Sequence, residues 1–242
     1  MVLNREFLSW QDSQMHALLS AKNEAEFSAA LIQAGQELGF EYIAFGMRMP
    51  LPLSNPKLLM VNNYSESWQQ RYAQEKYLEV DPSVAHGLRS VLPLVWGDQL
   101  YGTARPFWDD AHAHGLKVGW AQSTIDAQGA VGMLTLARSA DPLSDAELRD
   151  SSPRMRWLVQ MALEGMIRME ASRRPPEAPI RLTAREVEVL RWTADGKTSG
   201  EIGQIMDISE RTVNFHINNS LEKLGSNNKT AAVIKAAIMR LL

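Results

Sequence analysis

Residues 182–237 read LTAREVEVLRWTADGKTSGEIGQIMDISERTVNFHINNSLEKLGSNNKTAAVIKAA, and they carry the most specific structural signal in the chain. Two pairs, Thr183 with Glu186 and Thr198 with Glu201, fit the S/T-x-x-E capping box, in which a hydroxyl and a carboxylate satisfy free N–H groups at the start of a helix. Further cap and stop signals follow in the same stretch. It therefore predicts four short helices, at about 183–194, 198–206, 209–224 and 228–241.

The third predicted helix has an apolar face formed by Val213, Ile217, Leu221 and Leu224. Its opposite face carries hydrogen-bonding side chains, which are Arg211, Thr212, Asn218, Asn219 and Lys223, with Asn214 at the margin. Amides and arginine suit the base edges of a DNA major groove, whereas helix N-termini and small or basic polar groups suit phosphates. The candidate phosphate contacts are Lys197, Thr198, Ser209 and Lys223. By itself, such a face is also typical of a solvated helix in an ordinary bundle.

The composition limits what the protein can be. The 242 residues include 25 basic and 28 acidic side chains, a formal net charge of −3, so any surface that binds a polyanion must be local. The absence of cysteine excludes disulfide frameworks, thiolate zinc sites and cysteine nucleophiles, and favours a reducing compartment. No run approaches the roughly 20 apolar residues that cross a bilayer. We therefore expect a cytoplasmic protein with no membrane partner.

A change of amino-acid composition near residue 172 predicts the domain organisation. Residues 172–179 read SRRPPEAP, and prolines at this density exclude a helix or a central strand. We therefore expect a linker over 172–179, between an N-terminal domain, 1–171, and a C-terminal domain, 180–242.

The N-terminal half mixes helical and strand-like patterns. Helical spacing predicts one helix over 12–38 and others near 65–77, 81–88 and 104–114. Strands are predicted at 41–49, 57–61, 118–125 and 129–138. This order predicts an α+β protein, with an N-terminal α-β-α sandwich around an antiparallel sheet followed by an all-α C-terminal domain of four helices.

Residues 144–171 predict one long helix before the linker. A capping box of Ser144 and Glu147 begins it, and Pro153 is expected to interrupt it. Its apolar stripe consists of Met155, Leu158, Ala162, Met166 and Met169. The stripe either belongs to the core of the domain or also forms a seam between two copies.

Aromatic and acidic residues of the N-terminal half form a candidate ligand site. Tyr64, Trp68 and Tyr72 are spaced i, i+4, i+8 on one helical face, and Asp81 and Trp96 follow. Buried Tyr O–H and Trp N–H groups need partners, so a pocket for an apolar ligand with a polar head would explain the set. The alternative is that the aromatic side chains fill the core and that Asp81 caps a helix beginning at Pro82.

Both halves resemble one protein family. The stretch 182–237 is similar to the four-helix helix-turn-helix domain of LuxR-type regulators, with Glu186, Gly196 and His216 among its matching positions. The segments NYSESWQQRYAQEKYLEVDPSV, 63–84, and VLPLVW, 91–96, resemble the autoinducer-binding domain of the same family. The resemblance implies that 198–206 is the scaffold helix and 209–224 the recognition helix.

The resemblance also implies roles for the ligand site. Trp68 would donate to a lactone carbonyl, Asp81 would accept an amide N–H, and Tyr64 would donate to an acyl carbonyl. The remaining residues would reach the amide or wall the ligand, and they are Thr135, Tyr72, Trp96, Tyr101, Phe107, Trp108 and Ala44. The implied ligand is an N-acyl-homoserine lactone with a medium unsubstituted chain, bound without a cofactor or metal. The implied partners are inverted-repeat promoter DNA, a second copy of the chain in a homodimer, and RNA polymerase.

Three rival functions have distinguishable signatures. An enzyme is disfavoured, because GxSxG, HExxH, P-loop and GxGxxG motifs are absent and His112 and His114 point apart on a helix. A phosphorylated response regulator would need an alternating βα order that residues 1–170 lack. A LuxR-type regulator that senses no lactone would keep the DNA-binding half and lose the response to signal.

Overall fold

A computed structural model describes residues 5–102, 104–173 and 180–242, without the side chains of residues 98 and 99. These residues form two compact units, one before residue 174 and one after residue 179 for the most part. Residues 174–179 of the predicted linker lie outside the described residues, and Ser172 is the last residue of a helix. The domain boundaries predicted from the sequence stay a prediction.

The N-terminal unit contains helices and a five-stranded sheet. Its helices are α1 (Arg5–Ser20), α2 (Glu24–Glu37), α3 (Glu66–Gln74), α4 (Pro82–Gly87), α5 (Asp98–Tyr101), α6 (Arg105–Ala113) and α7 (Asp145–Ser172), with a 3₁₀ turn at Tyr77–Glu79. Its strands are β1 (Tyr42–Arg48), β2 (Leu58–Asn62), β3 (Leu94–Val95), β4 (Val118–Ile125) and β5 (Val131–Arg138). The strand order is β2-β1-β5-β4-β3, and every neighbouring pair is antiparallel.

The alternation of side chains along the strands gives the sheet two different faces. On β1, Ile43, Phe45 and Met47 are buried in a core that helices α1, α2 and α7 cover. Ala44 and Gly46 point to the other face, which lies toward α3, α4 and α6. Helices thus lie on both faces of an antiparallel sheet, and the predicted α+β fold with its α-β-α sandwich is confirmed.

The prediction of one helix over 12–38 was wrong. The structure has two helices, and the break between them falls just before Asn23. The Asn23 side chain accepts a hydrogen bond from the Glu26 backbone N–H and starts α2. Apolar side chains of both helices, such as Leu18 and Phe27, still share one core, so the helical period continues across the break.

Pro153 does not interrupt α7, contrary to the expectation. The helix is continuous over 28 residues with the proline inside it, and its stripe from Met155 to Met169 is buried within the chain. Burial of that stripe along the core outweighs the one backbone bond that a proline removes. Half of the predicted capping box forms: Ser144 accepts from the Glu147 N–H, while the Glu147 carboxylate pairs with Arg138.

The C-terminal unit consists of α8 (Ala184–Ala194), α9 (Ser199–Met206), α10 (Glu210–Leu224) and α11 (Lys229–Ile238). Both predicted capping boxes, at Thr183 and at Thr198, form with both of their hydrogen bonds. The turn between α9 and α10 is tight, because a Cβ on Gly203 would lie 2.7 Å from the Ile208 carbonyl oxygen. The four predicted helices are confirmed, and α9, turn and α10 form the helix-turn-helix.

Candidate ligand cavity and DNA-binding face

A cavity of about 670 Å³ lies within the N-terminal unit, between the second face of the sheet and helices α3, α4 and α6. Eight of the ten predicted ligand-binding residues line it, and they are Ala44, Tyr64, Trp68, Tyr72, Asp81, Trp96, Phe107 and Thr135. A cavity of this size suits a small molecule, and a mostly apolar lining with few polar groups is typical of such sites.

Asp81 joins the cavity to the start of α4. Its Oδ1 accepts the Ser83 backbone N–H at 2.7 Å and caps the helix, while its Oδ2 accepts the Tyr72 hydroxyl at 3.0 Å. Burial raises the pKa of Asp81, and these hydrogen bonds offset the rise only in part. Asp81 therefore fills both roles that the sequence left open, because it caps a helix and also faces the cavity.

Three further polar side chains face the cavity without a protein partner. Within the described parts of the chain, no protein group forms a hydrogen bond with the Tyr64 hydroxyl, the Trp68 indole N–H or the Thr135 hydroxyl. Burial and the nearby Asp81 raise the pKa of Tyr64, so its hydroxyl keeps its proton. Buried polar groups normally have partners, so these three groups are candidates to bind a ligand that supplies acceptors.

Trp96 lines the cavity, and two other predicted residues lie behind its wall. The Trp96 indole N–H donates to the Ser83 hydroxyl at 3.0 Å. Trp108 is 1% exposed and packs edge-on against Trp96, and Tyr101 packs against Trp108 from farther out. Trp108 and Tyr101 thus do not line the cavity, and they support residues that do.

A charged cluster braces the aromatic wall from outside. Asp110 accepts the Tyr77 hydroxyl at 2.6 Å and the Arg71 Nε at 2.5 Å, and these bonds hold the pKa of Asp110 below its usual value. The Tyr77 ring lies 5.9 Å from the rings of both Trp68 and Tyr72. The cluster thereby supports the rings of Trp68 and Tyr72 in the cavity wall.

Sequence reasoning missed the apolar end of the cavity. The lining there is made by side chains of β2, β5, the 3₁₀ turn, α4 and the C-cap of α4, which are Leu58, Met60, Leu78, Val84, Leu88, Val131 and Met133. Strand alternation gave a usable signal for the strand residues. Met60 is two residues from Asn62 on β2, and Met133 is two residues from Thr135 on β5, so each pair points to the same face of the sheet.

The helix-turn-helix has its predicted faces. Val213, Ile217 and Leu224 are buried, whereas Arg211 and Asn218 are exposed. Thr212 and Asn219 are half-buried beside them. Phe215, which the sequence analysis did not select, is 60% exposed on the same side of α10. Apolar side chains in a major groove contact thymine methyl groups, so Phe215 joins the candidate DNA-binding residues.

Several predicted DNA contacts already have partners within the protein. Asn214 accepts from the Ser199 hydroxyl at 2.8 Å. Thr198 and Ser209 cap α9 and α10. The Lys223 ammonium donates to both carboxylate oxygens of Glu186, at 2.8 and 2.7 Å, and is 37% exposed. Lys223 is therefore held in an ion pair that connects α10 to α8. Of the selected cations, Lys197 and Arg211 are exposed and form no ion pair with any residue that the structure describes.

Two classes of feature are not found in the described residues. No helix within 5–102, 104–173 or 180–242 is long and apolar enough to span a membrane. The same residues contain no group of three or more histidine or acidic side chains that could hold a metal ion.

Comparison with known proteins identifies both units. Residues 23–166 match the family model of the autoinducer binding domain, and residues 181–236 match that of bacterial regulatory proteins of the luxR family. The transcriptional activator AnoR of Acinetobacter nosocomialis is 45% identical over 97% of this chain and 99% of its own length. The quorum-sensing regulator RhlR of Pseudomonas aeruginosa is 34% identical over 98% of both chains.

A solved structure adds evidence on the fold. The structure of SdiA in complex with octanoyl-rac-glycerol matches with a TM-score of 0.77 and 33% identity, covering 98% of this chain and 97% of that chain. The relatives are regulators of transcription and not enzymes. With an autoinducer binding domain in one unit and a helix-turn-helix in the other, the chain belongs to the LuxR family of quorum-sensing transcriptional regulators.

Proposed function

We propose that the protein binds an N-acyl-homoserine lactone in the cavity of its N-terminal unit, without a cofactor, and regulates transcription in the bacterial cytoplasm. The observation that carries the proposal is the set of polar groups at one end of a mostly apolar cavity. Tyr64, Trp68 and Thr135 offer donors that have no partner among the described residues, and Asp81 offers a carboxylate acceptor. A lactone carbonyl, an acyl carbonyl and one amide N–H complement those groups.

The DNA-binding half acts as part of a homodimer on an inverted repeat. The candidate DNA-binding face of one copy offers few cations, because Lys223 is paired with Glu186 and, of the selected residues, Arg211 and Lys197 remain. Since each neutralised phosphate adds to affinity, one recognition helix would bind a half-site weakly. Two helices about one turn of duplex apart would read a repeat together, and RNA polymerase would be a further partner at the promoter.

Thermal stabilisation of the purified chain by a series of acyl-homoserine lactones tests the ligand class. A ligand that binds only the folded state raises the melting temperature in proportion to the logarithm of its concentration. Acetyl phosphate with Mg²⁺ is tested in parallel, because it would stabilise a regulator that is controlled by phosphorylation. Stabilisation by no lactone would instead indicate a LuxR-type regulator that senses another signal or none.

A monoacylglycerol is the second candidate ligand. The solved SdiA complex contains octanoyl-rac-glycerol, and glycerol hydroxyls could donate to Asp81 where an amide N–H otherwise would. Octanoyl glycerol and octanoyl-homoserine lactone have the same acyl chain, so comparing them isolates the head group. We expect the lactone to bind more tightly, because its two carbonyl groups satisfy both Tyr64 and Trp68.

A further inference from the structure

Three strands form a regular floor under the cavity. The register aligns Asn62, Ala44 and Thr135 in a first row, Met60, Gly46 and Met133 in a second, and Leu58, Arg48 and Val131 in a third. All nine residues line the cavity. The first row lies beside the polar groups that would hold the ligand head, and the other two rows continue away from it along the strands.

The rows measure the length of this floor. Ala44 and Arg48 are four residues apart on β1, which corresponds to about 13–14 Å at about 3.4 Å per residue. An extended polypeptide covers about 3.4 Å with three backbone bonds, so an extended alkyl chain covers a little over 1 Å per bond. The floor therefore accommodates an acyl chain of about ten to twelve carbons.

The cavity is buried at the first row on β1 and β5, and it has an open rim from the second row onward. Ala44 and Thr135 in the first row are 9% and 8% exposed, whereas Met60 in the second row and Leu58 in the third are 45% and 44% exposed. An extended chain would cover these exposed apolar side chains at the rim, and burying apolar surface favours binding. Because the rim is open, a chain longer than the floor would project outward without meeting a wall.

The second row controls passage from one end to the other. On its β5 side, α4 comes so close that a Cβ on Gly87 would lie 2.8 Å from the Met133 sulfur. On its β1 side, a Cβ on Gly46 would meet nothing closer than the Met60 Cε at 3.9 Å. The open path therefore runs over Gly46. A glycine inside a strand weakens that strand, and it often marks a place where a ligand comes close.

We propose that Gly46 is the residue that sets acyl-chain length, and that its missing side chain selects a long-chain signal of about ten carbons or more. The inference rests on the proposed lactone function and refines it, since the resemblance alone implies a medium chain. A side chain at position 46 would divide the floor after the first row and leave room for about five or six carbons, because the two rows are about 7 Å apart.

Titration of the full-length protein with straight-chain acyl-homoserine lactones of about four to fourteen carbons tests the length. We expect affinity to rise about fourfold per added methylene up to about ten carbons, and then to level off. An optimum at eight carbons or fewer, with weaker binding of longer chains, would overturn the inference and leave the lactone function intact. If no lactone bound at any length, the proposed function itself would fail.

Gly46→Leu tests the residue. We expect at least a tenfold loss of affinity for ten- to twelve-carbon lactones and little change for four- to six-carbon lactones, because overpacking acts only where the chain passes. The backbone at Gly46 is not among the positive-φ positions, so leucine can adopt it. A uniform loss at every length, or an unchanged length profile, would overturn the assignment.

Two variants serve as controls for folding and for the presence of a larger side chain. Gly102→Leu places the same side chain at an exposed glycine with no atom within 4 Å of its Cβ, and the length profile should not change. Gly46→Ala adds a single methyl group that fits the space, and it should shift the optimum by fewer carbons than leucine does. If Gly46→Leu were to misfold, an unchanged profile in Gly46→Ala would still count against the proposal.

Discussion

Asp81 in the N-terminal unit and Glu186 in the C-terminal unit are carboxyl side chains removed from bulk water, but their surroundings differ. Asp81 receives hydrogen bonds from neutral groups, which include the Tyr72 hydroxyl and the Ser83 N–H, and burial raises its pKa. Burial also acts to raise the pKa of Glu186, but hydrogen bonds from the Lys223 ammonium and the Thr183 N–H outweigh it and lower that pKa.

This difference indicates that the Asp81 carboxylate is available to a ligand, whereas the Glu186 carboxylate stabilises the fold. Glu186 has its compensating charge inside the protein, so its interactions are complete before any partner binds. Asp81 has no cation among its hydrogen-bond partners. An N–H donor of a bound ligand would therefore replace part of the hydrogen bonding with water that the carboxylate loses on burial. The comparison can be tested by removing one partner at a time.

The largest effect is expected from Lys223→Met. This change leaves the Glu186 carboxylate buried without its cation, and breaking a buried pair in this way typically costs about 3–5 kcal/mol. Because Lys223 is 37% exposed, we expect a loss of about 2–3 kcal/mol in the free energy of unfolding of the C-terminal unit. Urea unfolding of the full-length protein, followed by circular dichroism, measures it.

A second change in the same pair provides the control. Glu186→Leu combined with Lys223→Met replaces both charges by apolar side chains and should recover most of the lost stability. The pH dependence has a definite sign: since the pKa of Glu186 is lowered on folding, its contribution is present above about pH 4.3 and is lost as the pH falls through the folded pKa. A Lys223→Met protein as stable as the parent would refute the role of the pair.

Asp81→Asn should give the next largest effect, on ligand binding. The amide oxygen can still accept the Ser83 N–H and cap α4, so the fold is preserved while the negative charge is lost. Hydrogen bonds to charged groups contribute about 1.5–3 kcal/mol, which corresponds to roughly a 10- to 150-fold loss of affinity for an acyl-homoserine lactone. Calorimetric titration measures the loss.

Two comparisons sharpen that result. Trp68→Phe keeps an aromatic ring and removes one neutral donor, so it should reduce affinity less than Asp81→Asn does. In the parent protein, affinity should weaken as the pH falls through the raised pKa of Asp81, and Asp81→Asn should abolish that dependence. Equal titration curves for the parent and both variants would exclude this end of the cavity as the ligand site.

The contrast between the units also explains what the sequence could predict. The helices of the C-terminal unit were predictable because capping signals such as Thr198 with Glu201 are local, three residues apart. The same kind of signal, Asn23 with Glu26, was present and overlooked, because the apolar period continued through it. The pairing of Lys223 with Glu186 joins residues 37 positions apart, and neither local pattern nor charge indicates it.

The N-terminal site shows the opposite balance. Residue types and the family resemblance selected most of the polar end of the cavity, including Trp68 and Asp81. They did not select Gly46 or Met60, since these residues have no polar side-chain group from which a role in binding could be predicted. Only the register of β1 with β2 and β5 shows that these positions form one floor.

Asn218→Ala tests whether the exposed face of α10 reads the DNA sequence. The Asn218 side chain is exposed and has no hydrogen-bond partner among the described residues, so its amide is available to read a base edge. A good side-chain contact with a base discriminates by about 1–3 kcal/mol. We expect a binding-site selection experiment to show relaxed preference at one position of each half-site, and unaltered preference throughout would contradict the assignment.

Lys197→Ala should have the smallest effect, and it distinguishes a lysine outside any ion pair from one that is held in an ion pair. Lys197 is exposed just before α9, near the helix N-terminus, and it takes part in no ion pair of the described residues. A lysine that neutralises a phosphate adds about one unit to the slope of log K against log salt. Its loss should therefore weaken binding to all DNA sequences about equally and reduce the slope by about one per protomer.

Lys223→Met, measured at a temperature where it remains folded, should leave the slope unchanged, because Glu186 already neutralises that charge. If the two variants changed the slope equally, Lys223 would have to leave Glu186 when DNA binds, and the ion pair would belong to the DNA-binding surface as much as to the fold.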